Sequence, residues 1–259
     1  MQRITTLCTA GLLTLSAGAA SATELLALGA DGQLFKVDVA SLKVTASMAV
    51  SGASDLRGLD VRPASGQLYA LGGNDQLYIL DTASGKATAG SKLQTALSGS
   101  GQAVVDFNPV ADRLRLLGPD GTSLRVNVDT GEVAVDGKVA YAADGPYTGK
   151  HAKVVAGAYT NAYAGTQSTA LYNIDLASSS LMLQNPPNDG VQQLVGKVAD
   201  GLKAAALDIA SDGKGGNTAY VLTGKTLHQL DLASGKPTTL GDVADLPDGI
   251  IDIAVLPVK

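Results

Sequence analysis

The stretch VVDFNPVADRLRLLG, from Val104 to Gly118, consists of an apolar run, a polar break and a second extended run. The first run carries one acid, Asp106, and the break contains an Asn-Pro pair that is typical of a turn. The same plan occurs in three further stretches: GLDVRPASGQLYALG from Gly58, AGAYTNAYAG from Ala156 and AALDIASDGKGGNTAYVLTG from Ala205. The stretch is therefore one copy of a repeated pair of β-strands.

A second repeated unit follows these strand pairs. It starts at a leucine, alternates to an Asp or Asn, turns through Ser, Thr or Gly, and continues as another extended run, which is typical of a β-hairpin. Its five copies are spaced by 43, 47, 47 and 56 residues and begin at Leu34, Leu77, Leu124, Leu171 and Leu227. Four strands per unit at this spacing predict a β-propeller in which each unit forms one blade.

The two ends of the chain supply complementary parts of one blade. The run GIIDIAVLP from Gly249 matches only the first strand of a unit, whereas the segment from Glu24 to Val50 supplies only the second to fourth strands. We therefore predict an all-β, five-bladed β-propeller in which the C-terminal strand completes the blade begun near the N-terminus. Such closure removes the open ends of the sheet array. The alternative fold is a β-sandwich or a solenoid of hairpins.

The first 22 residues have the order of a secretory signal peptide. A single cation, Arg3, precedes an apolar run from Ile4 to Leu15, and small residues then lead to Ala22. The apolar run is too short for a membrane span. We expect cleavage near Ala22, so that residues 23–259 form a single periplasmic or secreted β-propeller domain. The one cysteine, Cys8, lies in this leader, so the exported domain would contain no disulfide.

Composition narrows the classes of partner. The formal net charge is −5 and no basic run occurs, which argues against nucleic acid and anionic membranes. No apolar stretch after the leader approaches 18 residues, so no membrane span is expected in the mature chain. With no tryptophan and two phenylalanines, flat aromatic surfaces for sugars or bases are scarce. A small molecule, a cell-envelope component or another protein remains as the partner.

Three strings together carry a family resemblance: GLDVRPASGQLYALG, VVDFNPVADRLRLLGPDGTSLRVNVDTG and AYTNAYAGTQSTALYNIDLASSSLMLQNPPNDG. In this combination the chain resembles the domain-of-unknown-function family numbered 4394, from about Leu25 to Pro257. The resemblance implies a secreted bacterial protein built from propeller-type repeats. It implies no activity or ligand, and it carries no catalytic residue onto this sequence.

The first strands of the repeats carry acids at matching positions, with Ala158 in the copy that lacks one. The acids are Asp60, Asp106, Asp208 and Asp252. Because the first strand of a blade lines the central channel, four carboxylates at one level could bind a divalent cation such as calcium or magnesium. The structural alternative is a brace, in which each Asp accepts backbone N–H groups or meets an arginine of the next blade. We favour the brace, since metal sites usually need ligands beyond a symmetric ring.

Polar residues just past these acids form a second candidate site at one mouth of the channel. We expect Arg62, Asn108 and Asn161 to contact a ligand directly, with Arg57 and Thr160 in support. Guanidinium and amide groups offer fixed donors for a carboxylate or phosphate. Their types differ between copies, unlike those of a repeated brace, although Arg62-Pro63 and Asn108-Pro109 are also ordinary turn sequences.

One loop, LQNPPNDG from Leu183 to Gly190, is absent from the other repeats. Its prolines stiffen the chain and its final glycine permits a positive-φ turn. The loop either shapes a binding mouth or connects two blades, and we favour the connection because turn residues are commoner than binding residues.

Enzyme signatures are largely missing, which favours a binding or scaffold protein. The two histidines, His151 and His228, lie in different repeats without metal-ligand spacing, and no G-x-S-x-G nucleophile elbow occurs. We expect an exported propeller that holds its ligand or partner at one mouth of the channel. The alternatives are a metal-dependent hydrolase of lactones or phosphoesters that uses the channel acids, and a purely structural cell-envelope component.

Overall fold

The computed structural model describes residues 23–257, and the expected signal peptide lies outside this range. Within it the chain forms 21 strands and one 3₁₀ turn, Pro187–Asp189. No helix in residues 23–257 is long and apolar enough to cross a membrane. The strands are β1 Glu24–Gly29, β2 Gln33–Asp38, β3 Lys43–Ala49, β4 Leu56–Val61, β5 Leu68–Gly72, β6 Gln76–Leu80, β7 Ala87–Lys92, β8 Val104–Asn108, β9 Arg113–Leu117, β10 Ser123–Val126, β11 Val133–Val135, β12 Ala140–Tyr141, β13 Val154–Tyr159, β14 Leu171–Asp175, β15 Ser180–Gln184, β16 Val191–Lys197, β17 Ala206–Ser211, β18 Asn217–Thr223, β19 Thr226–Leu230, β20 Pro237–Asp242 and β21 Ile250–Val255.

These strands form five sheets arranged as a β-propeller, which confirms the predicted fold. From the channel outward, blade 1 is β21-β1-β2-β3, blade 2 is β4 to β7, blade 3 is β8 to β11 and blade 5 is β17 to β20. Blade 4 runs from β13 to β16 and carries β12 as an additional outer strand. The innermost strands β4, β8, β13, β17 and β21 contact one another in this order, and β21 contacts β4 again. The ring is therefore closed.

Strand β21 closes the ring as the sequence predicts. It pairs antiparallel with β1, with Ala254 opposite Leu26 and Asp252 opposite Leu28. The Leu256 backbone N–H also donates to the Glu24 carbonyl at 2.9 Å. Because the two ends of the chain share one sheet, blade 1 presents no unpaired edge between its first and second strands.

Hydrophobic clusters fill four of the five junctions between blades. Between blades 2 and 3, for example, Tyr69 packs edge-on against Phe107 with ring centroids 5.4 Å apart. Similar clusters lie between blades 1 and 2, between blades 4 and 5, and between blades 5 and 1. Strands near the channel are covered on both faces by neighbouring blades, so a strand such as β5 is buried at every position instead of at alternate positions.

The junction between blades 3 and 4 is built around buried polar side chains, and we call it the polar seam. Arg115 of β9 is 1% exposed. It donates to Asp136 at 2.6 Å within blade 3, and to Asn188 at 2.9 Å in blade 4. Arg125 also donates to Asp136, and although burial raises the pKa of the Asp136 carboxyl, its two arginine partners bring that pKa below the ordinary value.

The loop from Leu183 to Gly190 joins β15 to β16 within blade 4, so the expectation that it connects two blades is wrong. The repeat unit from Leu171 supplies the second and third strands of this blade, because residues 162–165 form no strand.

The loop belongs to the polar seam. After blade 3 the chain crosses to blade 4 and adds β12 parallel to β16, a strand that the repeat pattern does not predict. The Gly137 N–H donates to the Asn188 carbonyl at 2.9 Å, and the Ala140 N–H donates to the Gly190 carbonyl at 3.0 Å. Gly190 has a φ of 74°, as the turn requires. The loop thus fastens the crossing segment to blade 4.

Gly58 of β4 provides a test of how closely the innermost strands pack. A Cβ at this position would lie 2.7 Å from Val105 Cγ2, 2.8 Å from the Ala103 carbonyl and 2.8 Å from Asp252 Oδ2. We expect Gly58→Ala to lower the free energy of unfolding by about 2 kcal/mol, measured by urea denaturation. Gly90→Ala on outer strand β7 is the matched control, since its Cβ would meet nothing closer than 3.4 Å. Equal effects of the two substitutions would contradict this packing.

Candidate functional site

The innermost strands have no neighbour on the channel side, so their backbone N–H groups there need other acceptors. Aspartate side chains supply them. Asp60 of β4 accepts from the Phe107 N–H of the next blade at 2.7 Å through Oδ2, and from its own neighbour Val61 at 2.6 Å through Oδ1. Asp106 of β8 accepts from the Tyr159 N–H of blade 4 at 2.8 Å. Each carboxylate therefore joins two adjacent blades.

Asp208 of β17 completes the same level of the channel. Its Oδ2 accepts from the Val255 N–H of blade 1 at 2.5 Å, and its Oδ1 accepts from the Ile209 N–H at 2.6 Å. In blades 1, 3 and 4 the N–H group at this level donates to the aspartate of the preceding blade. Blades 2 and 5 follow blades that have alanine at this level, Ala254 and Ala158. Their N–H groups therefore donate to the aspartate of their own strand.

Three carboxylates at this level have six oxygens for five N–H groups, one from each blade. We call Asp60, Asp106 and Asp208 the carboxylate layer. Both oxygens of Asp60 and of Asp208 accept backbone bonds, and so does Asp106 Oδ1. Among the described residues nothing donates to Asp106 Oδ2. The layer thus braces the ring and retains one free carboxylate oxygen.

Asp252 is not part of this layer, although the sequence aligns it with the other three acids. Its position in the layer is taken by Ala254, because the Asp208 bond goes to Val255. Asp252 lies two residues earlier on β21, a shift of about 7 Å along the strand. There it accepts from the Leu59 N–H at 2.9 Å and from the Ile253 N–H at 3.0 Å. The expectation of four acids at one level is corrected to three acids and one acid below them.

The carboxylate layer is buried and brings three carboxyl groups close together. Each of its three side chains is 5–8% exposed, and their ligand oxygens lie within 4.8 Å of one another. Burial and then the neighbouring charges raise the pKa of the Asp60 and Asp106 carboxyls well above the ordinary value, against the effect of their backbone hydrogen bonds. Burial raises the pKa of Asp208 to about 6, and it also raises the pKa of Asp252.

Above the carboxylate layer the channel opens into a cavity of about 340 Å³, which we call the mouth cavity. Its floor contains all three carboxylates, and its walls include Pro63, Tyr163, Ala210 and Leu256. Ala210 lies two residues after Asp208 on β17, so its side chain points to the same side of the strand. No lysine or arginine within residues 23–257 lines this cavity. The described walls are therefore neutral and the floor is acidic.

The opposite end of the channel is bridged by Gln102, which precedes blade 3. Its side-chain amide donates to the Ala205 carbonyl at 3.1 Å and to the Ile251 carbonyl at 2.5 Å, in blades 5 and 1. Residues 97–102, the plug loop, are held there by Arg57, which donates to the carbonyls of Leu97, Ser98 and Gly101. The separate cavity of about 540 Å³ at this end shares no lining residue with the mouth cavity. The mouth cavity is thus a pocket with a floor.

The rim residues singled out in the sequence do not form one site. Arg57 lies at the plug-loop end, whereas the other four lie at or just after the ends of innermost strands, at the mouth-cavity end. Arg62 donates to Asp112 at 2.6 Å and to Asp129 at 2.9 Å, which ties blade 2 to blade 3. Its partnership with Asp112 lowers the pKa of that carboxyl.

Asn161 and Thr160 likewise make intramolecular bonds. The Asn161 backbone N–H donates to Asn217 Oδ1 at 2.7 Å, and Asn217 Nδ2 returns a bond to Asn161 Oδ1 at 2.9 Å, which links blades 4 and 5. Thr160 is 8% exposed and accepts from the Ala170 N–H. Asn108 Oδ1 accepts from the Val110 and Ala111 N–H groups in an Asx turn. Asn108 also lines a different cavity, of about 510 Å³, beside Asn185 of the polar seam.

Several residues that shape the pocket carried no recognisable signal in the sequence. Tyr163 and Ala162 follow a turn in the one repeat without a channel acid, and Gln102 lies in a connection between blades. Only Ala210 could have been inferred, because it lies two residues after Asp208 and its side chain alternates to the same side. Leu256 lies two residues after Ala254, which only the structure places at this level of the channel. The others depend on how loops fold over the channel.

The fold and the site define a class of protein: a five-bladed β-propeller whose central channel is a pocket with an acidic floor. The chain belongs to the family described as domain of unknown function (DUF4394), whose profile matches residues 20–254. No curated protein matches the chain.

Three solved structures of similar shape come from Bacteroides species. A protein of unknown function from Bacteroides thetaiotaomicron is 20% identical, with a TM-score of 0.58, and the match covers 93% of this chain and 66% of that one. A protein of unknown function from Bacteroides caccae is 12% identical, with a TM-score of 0.46, 91% of this chain and 99% of that one being covered. An auxiliary nutrient binding protein from Bacteroides ovatus is 16% identical, with a TM-score of 0.45, over 76% of this chain and 55% of that one. At these identities the likeness concerns the fold alone.

The carboxylate layer should make stability depend on pH. Its carboxyls bind protons more tightly in the folded chain than in the unfolded chain, where the pKa of Asp is about 3.9. The resulting stabilisation is complete below that value and is lost as pH rises through the folded pKa, about 6 for Asp208. In chelator, lowering the pH from 7.5 to 5 should therefore favour the wild type over Asp106→Asn by roughly 1–2 kcal/mol in urea denaturation.

The comparison between wild type and variant removes other titrations from this measurement. Burial lowers the pKa of His228, so that histidine acts in the opposite direction over the same pH range, but equally in both proteins. Asp106→Asn also keeps the acceptor Oδ1 for the Tyr159 N–H. Identical pH profiles for the two proteins would contradict the burial and mutual repulsion of these carboxyls.

Arg62 should contribute to stability and not to the pocket. Replacing it by Met removes two ion pairs made by a side chain that is 13% exposed, and should lower the free energy of unfolding by about 1–2 kcal/mol. Lys138→Met is the control, because its pair with Asp120 is exposed and worth about 0–1 kcal/mol. Thermal or urea unfolding measures both, and an unchanged Arg62→Met would refute the structural role.

Proposed function

We propose that the protein is an exported binding protein that holds a small, positively charged ligand in the mouth cavity. The observation that carries this proposal is the acidic floor: three carboxylates that are 5–8% exposed line a cavity of about 340 Å³, without a lysine or arginine among its described lining residues. Pockets of this size are typical of small-molecule sites. A cation is the chemical class that such a floor would stabilise.

Electrostatics favours a cationic ligand over an anionic or neutral one. Buried carboxylates without a counter-charge raise the free energy of the folded state unless they bind protons or a cation. The arginines of the channel region are already engaged, Arg57 by backbone carbonyls and Arg62 by Asp112 and Asp129. A bound cation would therefore neutralise the negative charge of the buried carboxylates, which these arginines do not neutralise.

The apolar walls contribute a second element of recognition. Pro63, Ala210 and Leu256 surround the space above the carboxylates, with Tyr163 as the one aromatic wall residue among the described lining. A metal cation would meet the carboxylates of the floor, and an organic cation with a short apolar body would meet both the floor and the walls. The plug loop at the far end means that such a ligand enters and leaves by the same mouth.

Export is part of the proposal because the leader of residues 1–22 has the order of a signal peptide. A protein released outside the cytoplasm without cysteine needs no redox protection, and its closed ring holds itself together by packing and hydrogen bonds. A propeller with a preformed pocket suits ligand capture under these conditions.

Filling the mouth tests this function. Ala210→Trp should place an indole directly above Asp208. A melting-temperature screen with methylammonium, putrescine, spermidine, Ca²⁺ and Mg²⁺ at pH 7.5 should reveal at least one cation that stabilises the wild type by several degrees. The shift should be lost in Ala210→Trp.

Val135→Trp is the control, because Val135 is 65% exposed on outer strand β11, away from the channel. It should respond like the wild type. The proposal fails if no cation in the panel stabilises the protein, or if Ala210→Trp responds as strongly as Val135→Trp.

A further inference from the structure

We infer that the carboxylate layer binds one calcium ion, through Asp60, Asp106 and Asp208, at the floor of the mouth cavity. This inference rests on the proposed function and specifies its ligand group. The site differs from the one suggested by the aligned acids, because Asp252 is not among its ligands.

The distances suit one ion that reaches all three side chains. The ligand oxygens lie within 4.8 Å of one another. Calcium binds oxygen at about 2.3–2.6 Å. Two ligand oxygens on opposite sides of the ion are therefore separated by roughly twice that distance, which agrees with the spacing of these oxygens. All three donors are hard carboxylate oxygens, which calcium prefers over nitrogen or sulfur.

Asp106 provides an independent indication that the layer faces a ligand. Its side chain is 5% exposed and lines the mouth cavity. Oδ1 accepts from the Tyr159 N–H, and Oδ2 has no donor among residues 23–257. Oδ2 is not among the fully buried atoms without a partner, so it is accessible from the mouth cavity, and an ionised oxygen at this position would be stabilised by a cation or a proton. The other five oxygens of the layer already have backbone donors, so Oδ2 is the oxygen left over for a ligand.

The ion's further ligands would come from the mouth cavity. Ala158 and Ala254 occupy the remaining positions of the five-membered ring, are fully buried and offer no side-chain oxygen. Calcium takes six to eight oxygen ligands with flexible geometry, and water from the mouth cavity can supply those that the protein does not. Magnesium demands near-ideal octahedral geometry at about 2.0–2.1 Å. The carboxylates are already fixed by bonds to neighbouring blades, which favours the larger and more tolerant ion.

The charge of the layer also favours a divalent ion over an ammonium group. When ionised, the three carboxylates carry three negative charges close together, and no lysine or arginine among the described residues lines the cavity above them. A divalent ion neutralises two of them from one position, whereas an ammonium group neutralises one. The position of the site also favours a small ion, because a ligand can contact all three side chains only at the floor of the cavity.

Calcium titration of chelator-treated protein by isothermal calorimetry, with a parallel melting curve at pH 7.5, tests the inference. We expect one calcium ion per chain, a melting temperature several degrees higher with calcium, weaker binding of magnesium and none of methylammonium. Asp106→Asn should weaken calcium binding at least about tenfold. Its melting temperature without calcium should be equal to or higher than that of the wild type, because Oδ1 keeps its bond and one buried charge is removed.

Asp55→Asn is the matched control. Asp55 is exposed and lines the cavity at the plug-loop end. Its φ of 52° suits asparagine, so the substitution removes a channel-end carboxylate without strain. Calcium affinity should be unchanged.

The inference is overturned if calcium does not bind at millimolar concentration, if Asp106→Asn binds it as the wild type does, or if Asp55→Asn weakens binding equally. Should Asp106→Asn fail to fold, the wild-type titration and the Asp55→Asn comparison still decide. Stabilisation by an ammonium compound, lost in Ala210→Trp and seen without calcium binding, would overturn the calcium site and leave the proposed function standing. No stabilisation by any cation would end both.

Discussion

The structure depends on how the innermost strands satisfy the backbone N–H groups that face the channel. A propeller leaves these groups without a strand partner, and burial makes an unpaired N–H costly. The chain meets the requirement with aspartates that reach from one blade to the next. Asp60 joins blade 2 to blade 3, Asp106 joins blade 3 to blade 4, and Asp208 joins blade 5 to blade 1. The same bonds hold the ring together and concentrate negative charge at its centre.

The two alanines in the ring leave one carboxylate oxygen free to bind a ligand. A complete set of five acids would leave many oxygens without a donor, and a set with no acid would leave five N–H groups unpaired. With alanine at Ala158 and Ala254, three carboxylates serve five N–H groups and one oxygen of Asp106 remains. A structural brace and a ligand site are therefore compatible here, because the first uses five oxygens and the second begins with the sixth.

The five junctions between blades are of two kinds, apolar and polar. Four junctions are filled by apolar side chains, whereas the junction of blades 3 and 4 is organised by Arg115 and its partners Asp136 and Asn188. Charge-assisted hydrogen bonds between an arginine and its acceptors fix the relative positions of these side chains. This junction is also where the chain crosses from blade 3 to form β12, so the polar contacts fix the one departure from the regular repeat.

The sequence by itself determined the architecture, because strand alternation, turn residues and repeat spacing are local signals that recur in every blade. It also identified the channel acids and the closing strand Gly249–Pro257, since both follow from the repeat. It did not determine that Asp252 lies below the layer, because a two-residue shift on β21 leaves the side-chain alternation unchanged. Nor did it show that Arg62 and Asn161 are engaged by the neighbouring blade, or that Gln102 bridges the far end of the channel. Those outcomes depend on contacts between residues far apart in the chain, and only the closed ring brings them together.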